Sequence, residues 1–217
     1  MSGVIHLSRE ITAAEQTRKG LLVSVSGPSG VGKGSVIDKV RERLPDIAHS
    51  VSVTTRPMRD NEIEAVSYFF RSEKQFKEMM AEGEILEHDI YLNNYYGTPL
   101  TPLLKLINDG RDVLFDLTVS GSLALMESYP DAVTIFLLPP SMTELRCRLE
   151  KRATESHEVI ERRLLEASVE IPKVDLFNYV VINDDLDKAA DRIIAIIEAE
   201  KHKYSRQIGI EERILGR

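Results

Sequence analysis

The chain has 217 residues, a net charge of −7, 42% hydrophobic residues and one cysteine, Cys147. That length can bury a sizeable core in one domain with inserted subdomains, while the lone cysteine excludes an intrachain disulfide and fits a reducing cytoplasm. The acidic balance argues against general nucleic-acid binding, five scattered histidines argue against a zinc site, and no apolar run has the length of a membrane span.

Residues 1–20 are polar and weakly patterned, an N-terminal extension; Arg9, Glu10, Glu15, Arg18 and Lys19 interrupt what a signal peptide would need as an apolar run. Residues 21–26 form an uncharged, β-rich run. Then comes Gly27-Pro28-Ser29-Gly30-Val31-Gly32-Lys33-Gly34-Ser35, followed by Val36, Ile37, Val40 and Leu44 on one helical face, closed by Pro45. Strand, glycine-rich turn and helix are the setting of a phosphate-binding loop. Glycines let backbone N–H groups converge on phosphate oxygens, and the helix N-terminus adds roughly half a positive charge there. Lys33 can then reach the outer phosphates of a nucleotide. Gly34 stands where Ser or Thr usually follows the lysine, and the hydroxyl comes one place later, at Ser35. The plain alternative is a glycine-rich turn with no ligand.

Further along, residues 50–55 are strand-like and run into Arg56-Pro57-Met58-Arg59, where Pro57 breaks regular structure. Tyr68-Phe69-Phe70 predicts a short strand. Ser72 with Gln75 makes a capping box for a helix through Phe76, Met79 and Met80, closed by Gly83. Residues 84–89 predict another short strand, carrying Glu87, and Asn93-Asn94-Tyr95-Tyr96-Gly97-Thr98 a turn cluster. Thr101 and Pro102 open a helix that ends at Asn108-Asp109-Gly110. These short strands between longer βα units predict an inserted subdomain at about 50–101.

Residues 113–117 form a buried-type strand carrying Asp116, and a helix follows over 121–129. The most apolar run, 132–138, predicts a central strand. Ser141 and Glu144 form a second capping box, for a helix bearing Met142, Leu145 and Leu149 on one face together with Arg146, Arg148 and Arg152. A polar break precedes a helix with Arg162, Arg163, Leu164, Leu165 and Val169. Residues 179–183 predict the last strand, and Ile193, Ile194 and Ile197 mark a long helix. The charged tail, 205–217, is expected to fray. Alternating strands and helices predict an α/β fold with a parallel sheet, whose ligands sit beyond the carboxyl ends of the strands.

A triphosphate on the loop calls for Mg²⁺, which takes oxygen ligands and keeps several waters. Ser35 is the candidate direct ligand, and Asp116 the candidate holder of a metal-bound water; by itself Asp116 also reads as a turn carboxylate. Arg56 and Arg59 are guanidinium forks suited to a second phosphate, or they belong to a solvated loop. The arginines from 146 to 163 form a solvated face, or a flap that neutralises a phosphoryl group in transfer.

Taken together, the loop from Gly27 to Ser35, Ser52-Val53-Thr54-Thr55-Arg56-Pro57-Met58-Arg59, Tyr68-Phe69-Phe70, Asn94-Tyr95-Tyr96-Gly97-Thr98 and Val181-Ile182-Asn183-Asp184-Asp185 resemble the guanylate kinase family in words and spacing, over about 21–201. The resemblance implies a P-loop nucleoside-kinase fold, with a GMP-binding insert at about 50–101 and an arginine-bearing lid at about 146–166. It implies transfer of a phosphoryl group from ATP to GMP or dGMP, in the cytoplasm, with Mg²⁺. By that likeness Arg56, Arg59, Tyr68 and Tyr96 grip the GMP phosphate, Ser52, Glu87 and Thr98 read guanine, and Asp116 also belongs to the GMP-binding set. Arg152 and Arg163 are implied as lid arginines on ATP, with Arg56 bridging both nucleotides. Chemistry supports Glu87 separately: a carboxylate accepts two hydrogen bonds from guanine N1–H and its amine, whereas adenine offers no such pair. No general base is needed, because the acceptor phosphate has its second pKa near ~6.

Two departures stand out. The family's second acidic residue after Asp116 is here Thr118, and its Gly-x-Asp before Tyr68 is here Ala65-Val66-Ser67. They predict weakened GMP affinity or rate, to be raised by Thr118→Asp. The alternatives are a related kinase with another small phosphorylated acceptor, and a non-catalytic binding module, which typically lacks loop or lid residues.

Overall fold

In the structure, a computed structural model, residues 20–91, 93–151 and 156–216 are described. The run after Gly20 forms β1 (Leu22–Ser26), all five residues of which are buried. Gly32 then turns the chain into α1 (Lys33–Arg43), which buries Val36, Ile37 and Val40 and ends as the periodicity and Pro45 predict. Next come β2 (Ala48–His49) and β3 (Val53–Thr54). β4 (Phe69–Phe70) leads into α2 (Glu73–Ala81), whose capping box of Ser72 and Gln75 forms in both directions. β5 (Ile85–Tyr91) and β6 (Asn94–Pro99) pair antiparallel before α3 (Leu100–Asn108).

The second half alternates β7 (Val113–Asp116), α4 (Val119–Ser128), β8 (Val133–Leu138), α5 (Met142–Lys151) and α6 (His157–Glu170). A 3₁₀ turn, Ile171–Leu176, joins α6 to β9 (Tyr179–Ile182), and α7 (Leu186–Lys201) follows. A second 3₁₀ turn, Tyr204–Arg206, precedes α8 (Ile210–Leu215). Among the described residues no helix is long and apolar enough to cross a membrane.

Two sheets result. The five-stranded sheet has order β2-β7-β1-β8-β9, all pairs parallel, and the four-stranded one has order β4-β3-β6-β5. Side chains alternate across β1, as a strand requires. Val23 and Val25 pack with Val36, Ile37 and Val40 of α1 and Ile193 and Ile197 of α7. Leu22 joins Phe115, Leu103, Ile107 and Leu125 on the other face, against α3 and α4. Each such side chain contributes roughly 1.5–3 kcal/mol on burial. Ser24 on that second face is satisfied by the hydroxyl of Ser122, 2.6 Å away.

Several expectations need correction. The turn cluster at 93–98 is mostly strand: Asn93 alone carries the positive φ, 62°, and Asn94–Pro99 pairs with both β5 and β3. The run 132–138 does supply an interior, buried strand, β8, next to β1 in the middle of the sheet. At Ser141 one direction of the capping box forms, Glu144 N donating to Ser141 Oγ at 3.1 Å, while the Glu144 carboxylate accepts Nε of Arg148. Leu165 and Val169 face solvent, and α6 buries Ile160, Arg163, Leu164 and Ala167 instead. The tail is not frayed over 210–215, where it forms α8. The extension over 1–19 lies outside the described residues.

Candidate active site

The loop between β1 and α1 is built on backbone that only glycine tolerates well. Gly27 and Gly32 have φ of +146° and +97°, and a Cβ on Gly27 would stand 2.2 Å from the Leu137 carbonyl oxygen. The loop is held from outside as well. Val31 O accepts Nδ2 of Asn183 at 2.8 Å and Nη1 of Arg148 at 3.2 Å, while Nη2 of Arg148 donates to Asn183 O at 2.9 Å. Asn183 follows β9 and Arg148 lies on α5, so two neighbouring elements clamp one carbonyl. The first N–H groups of α1 have no partner within the helix, and an anion fits there. Lys33 Nζ donates to Gly27 O at 2.8 Å, lying along the inside of the loop. Ser35 is exposed in the first turn of α1, and Gly34 has open space around it.

Asp116 ends β7 directly opposite Val25 of β1, which brings its carboxylate beside the loop. Burial pushes its pKa up and the Lys33 ammonium pulls it back. From α6, Arg163 Nη1 donates to Ser29 Oγ at 3.1 Å, although Arg163 is only 8% exposed. Arg162, its neighbour, points to solvent, and Arg146 pairs with Glu161 across α5 and α6. Arg152 lies outside the described residues. Glu170, also on α6, has its carboxyl pushed up by burial and pulled back by Lys33.

The four-stranded sheet carries a second group of side chains. The Arg56 guanidinium lies 5.5 Å from the Tyr68 ring centroid and 5.9 Å from that of Phe70. Tyr68 and Tyr96 meet edge to face at 6.1 Å. Burial, followed by the Asp116 charge, drives the Tyr68 hydroxyl up to about 12. Arg59 is exposed, its backbone N–H donating to Glu62 at 2.8 Å. At the other end of this sheet Glu87 is buried and accepts Thr98 Oγ1–H at 2.7 Å. Desolvation raises the Glu87 pKa, and Thr98 lowers it in part. Ser52 is half-buried at the entry to β3, its carbonyl accepting Phe69 N–H.

Both departures find local explanations. Thr118 caps α4, its hydroxyl accepting Gly121 N–H at 3.0 Å. Ala65 sits at φ 61°, a conformation that glycine adopts without strain, and Ser67 Oγ accepts Ile63 N–H at 3.1 Å. Sequence reasoning missed Glu62, Gly121 and the clamping role of Arg148. Glu62 stood only in a polar stretch with no motif to mark it. Arg148 has no mark in the sequence beyond being one of several arginines in the run 146–163.

A glycine-rich loop between a parallel strand and a helix, beside a small second sheet carrying aromatic and arginine side chains, has the build of a P-loop kinase. The comparisons narrow this. The family model described as "Guanylate kinase" matches residues 19–200. Guanylate kinases of Halalkalibacterium halodurans and Caldanaerobacter subterraneus are 45% and 46% identical, over 89% and 87% of this chain and 95% and 92% of their own lengths. The crystal structure of guanylate kinase from Anaplasma phagocytophilum aligns with a TM-score of 0.77 at 34% identity, covering 92% of this chain and 96% of that one. The chain belongs to the guanylate kinase family.

Proposed function

We propose that the chain catalyses ATP-dependent phosphorylation of GMP to GDP, with the ATP phosphates on the loop and GMP on the small sheet. The observation that carries this reading is the placement of Asp116. On the strand beside β1, opposite Val25, its carboxylate lies within electrostatic reach of Lys33 of the loop and of Tyr68 of the small sheet. Two phosphates held by those two groups would meet end to end beside it. Proximity of this kind supplies much of the barrier reduction when no covalent step on the enzyme is required.

Individual roles are assigned from the family likeness, with position in support for the described residues. Lys33, now on a carbonyl, gains a charged acceptor when a phosphate enters. Gly27, Ser29, Gly30, Gly32, Gly34 and Ser35 would bring main-chain N–H groups, and Ser35 its hydroxyl, to the ATP phosphates, while Pro28, which has no N–H, and Val31, whose N–H donates to Pro28 O, shape the loop. Arg163, already at Ser29, and Arg152 would neutralise charge on the transferring group. Arg56, Arg59, Tyr68 and Tyr96 would take the acceptor phosphate. Glu87 keeps one oxygen on Thr98 and has lone pairs left for guanine N1–H and the amine, and Ser52 would join it on the base. Ser35 and Asp116 are oxygen donors at the mouth of the loop, a set that fits Mg²⁺, which supplies charge neutralisation when bound and keeps much of its water. The lone cysteine supports a cytoplasmic setting.

A coupled assay of ADP release with GMP, dGMP, AMP, CMP and UMP tests the proposal. Turnover confined to GMP and dGMP is the expected result. Turnover with another acceptor, or ATP binding without turnover on any of the five, would overturn it.

A further inference from the structure

Arg56 is held by a residue that the motifs do not contain. Glu62 lies six positions on, and its carboxylate grips the end of the guanidinium: Nη1 donates to Oε2 at 3.0 Å and Nη2 to Oε1 at 2.6 Å. The same Oε2 accepts Arg59 N–H at 2.8 Å, which ties down the backbone of the second arginine. Pro57 O takes the remaining Nη1 proton at 2.6 Å. This is not a solvated surface pair, because the two side chains are 14% and 13% exposed. Tyr68 and Phe70 lie against the guanidinium. A partly buried, bidentate pair with ring contacts fixes orientation in a way an exposed pair does not.

The donor count then decides what is left. A guanidinium has five N–H groups. Glu62 uses two and Pro57 O uses one, which leaves Nε–H and one Nη2–H for the Tyr96 hydroxyl, which also interacts with the guanidinium, and for an incoming anion. Those two N–H groups are parallel and form the side edge of the fork, the geometry that takes two oxygens of a phosphate. We infer that Glu62 is a positioning residue for the acceptor phosphate: it occupies the end of Arg56 and presents the side edge to GMP. The inference rests on the proposed function, since it needs a phosphate on the small sheet.

The test compares GMP with guanosine, which lacks the phosphate, by titration calorimetry alongside steady-state kinetics. Glu62→Gln keeps the size of the side chain but loses the charge and one acceptor. It should raise the GMP Kd and KM by about 10-fold or more and lower kcat, with KM for ATP unchanged within about twofold. Guanosine affinity should stay within about twofold of the parent, which a general collapse of the subdomain would not allow. Glu62→Asp, retaining charge with shorter reach, should lose less than Glu62→Gln. In an Arg56→Ala background, Glu62→Gln should raise the GMP Kd by a clearly smaller factor than in the parent, because only the contact to Arg59 N–H remains. Three outcomes overturn the inference: a Glu62→Gln variant that binds GMP like the parent, parallel losses of GMP and guanosine in both Glu62 variants, or losses that multiply in the Arg56→Ala background. A parent enzyme unable to phosphorylate GMP would instead refute the proposed function.

Discussion

Gly121 and Glu87 approach so closely that a Cβ on the glycine would stand 2.8 Å from Oε2 of the carboxylate. Gly121 lies in the first turn of α4, so helix propensity favours alanine there by roughly 0.5–1 kcal/mol. The glycine is therefore explained by what sits against it. Gly121→Ala should leave the melting temperature equal or slightly raised while displacing the Glu87 carboxylate from guanine. Losing hydrogen bonds to a charged group costs about 1.5–3 kcal/mol, so KM for GMP should rise at least ~10-fold with KM for ATP unchanged. A Gly121→Ala enzyme with the parent's KM for GMP would show that Glu87 does not read the base.

The raised pKa of Glu87 gives a pH signature in stability. Desolvation makes the folded state hold this proton more tightly than the unfolded chain does. The stabilisation linked to that proton is complete below the unfolded value and is lost as pH rises through the higher folded one. At pH 8 the ionised, buried carboxylate is thus a cost, and Glu87→Gln should melt above the parent. The gap should shrink as pH falls toward 4.5 and below. Thermal melts of both proteins across pH 4 to 8 check this, and a gap that widens toward low pH would contradict it.

Ala65 holds a left-handed conformation at φ 61°, where an L side chain costs roughly 1–2 kcal/mol. Its N–H is spent on Tyr68 O at 2.8 Å, so the turn positions the tyrosine's own segment. Ala65→Gly should stabilise the protein by about 1 kcal/mol, visible as a rise of ~2–4 °C in melting temperature. A fall in melting temperature would mean that the turn relaxes in solution.

Thr118 caps α4, and aspartate is as good a cap as threonine or better. Thr118→Asp should therefore fold with a melting temperature close to the parent's while adding a negative charge near the Glu87 carboxylate. Higher kcat/KM for GMP is expected. Lower activity in a well-folded variant would show that Thr118 is adapted to something else.

The strand, loop and first helix were legible because each local signal agreed with the tertiary structure: glycines stand where φ is positive, and the apolar face of α1 meets the core. The segment 93–98 reads as a turn but is mostly strand, for the opposite reason. Asn, Tyr and Gly look like turn formers, yet Gly97 is small because a Cβ there would lie 2.9 Å from both Glu87 O and Ile85 Cγ2. That is strand packing, which composition does not report. The arginines of 146–163 illustrate a second limit. Arg162 and Arg163 are adjacent and identical in type, and only the helix phase, fixed by Ile160, Leu164 and Ala167, turns the second one toward Ser29. Glu62 had no signature, because its partner is set by a turn between two short strands.

The most direct test concerns Lys33, which lies on Gly27 O inside the loop and within electrostatic reach of Asp116. Lys33→Ala removes the ammonium without altering a backbone N–H, so the fold and GMP binding at the small sheet should persist. Single-turnover phosphorylation of GMP at saturating ATP should fall by at least about 100-fold, in line with loss of one charged group acting on the transferring phosphoryl. A Lys33→Ala enzyme that phosphorylates GMP at the parent's rate would contradict the account.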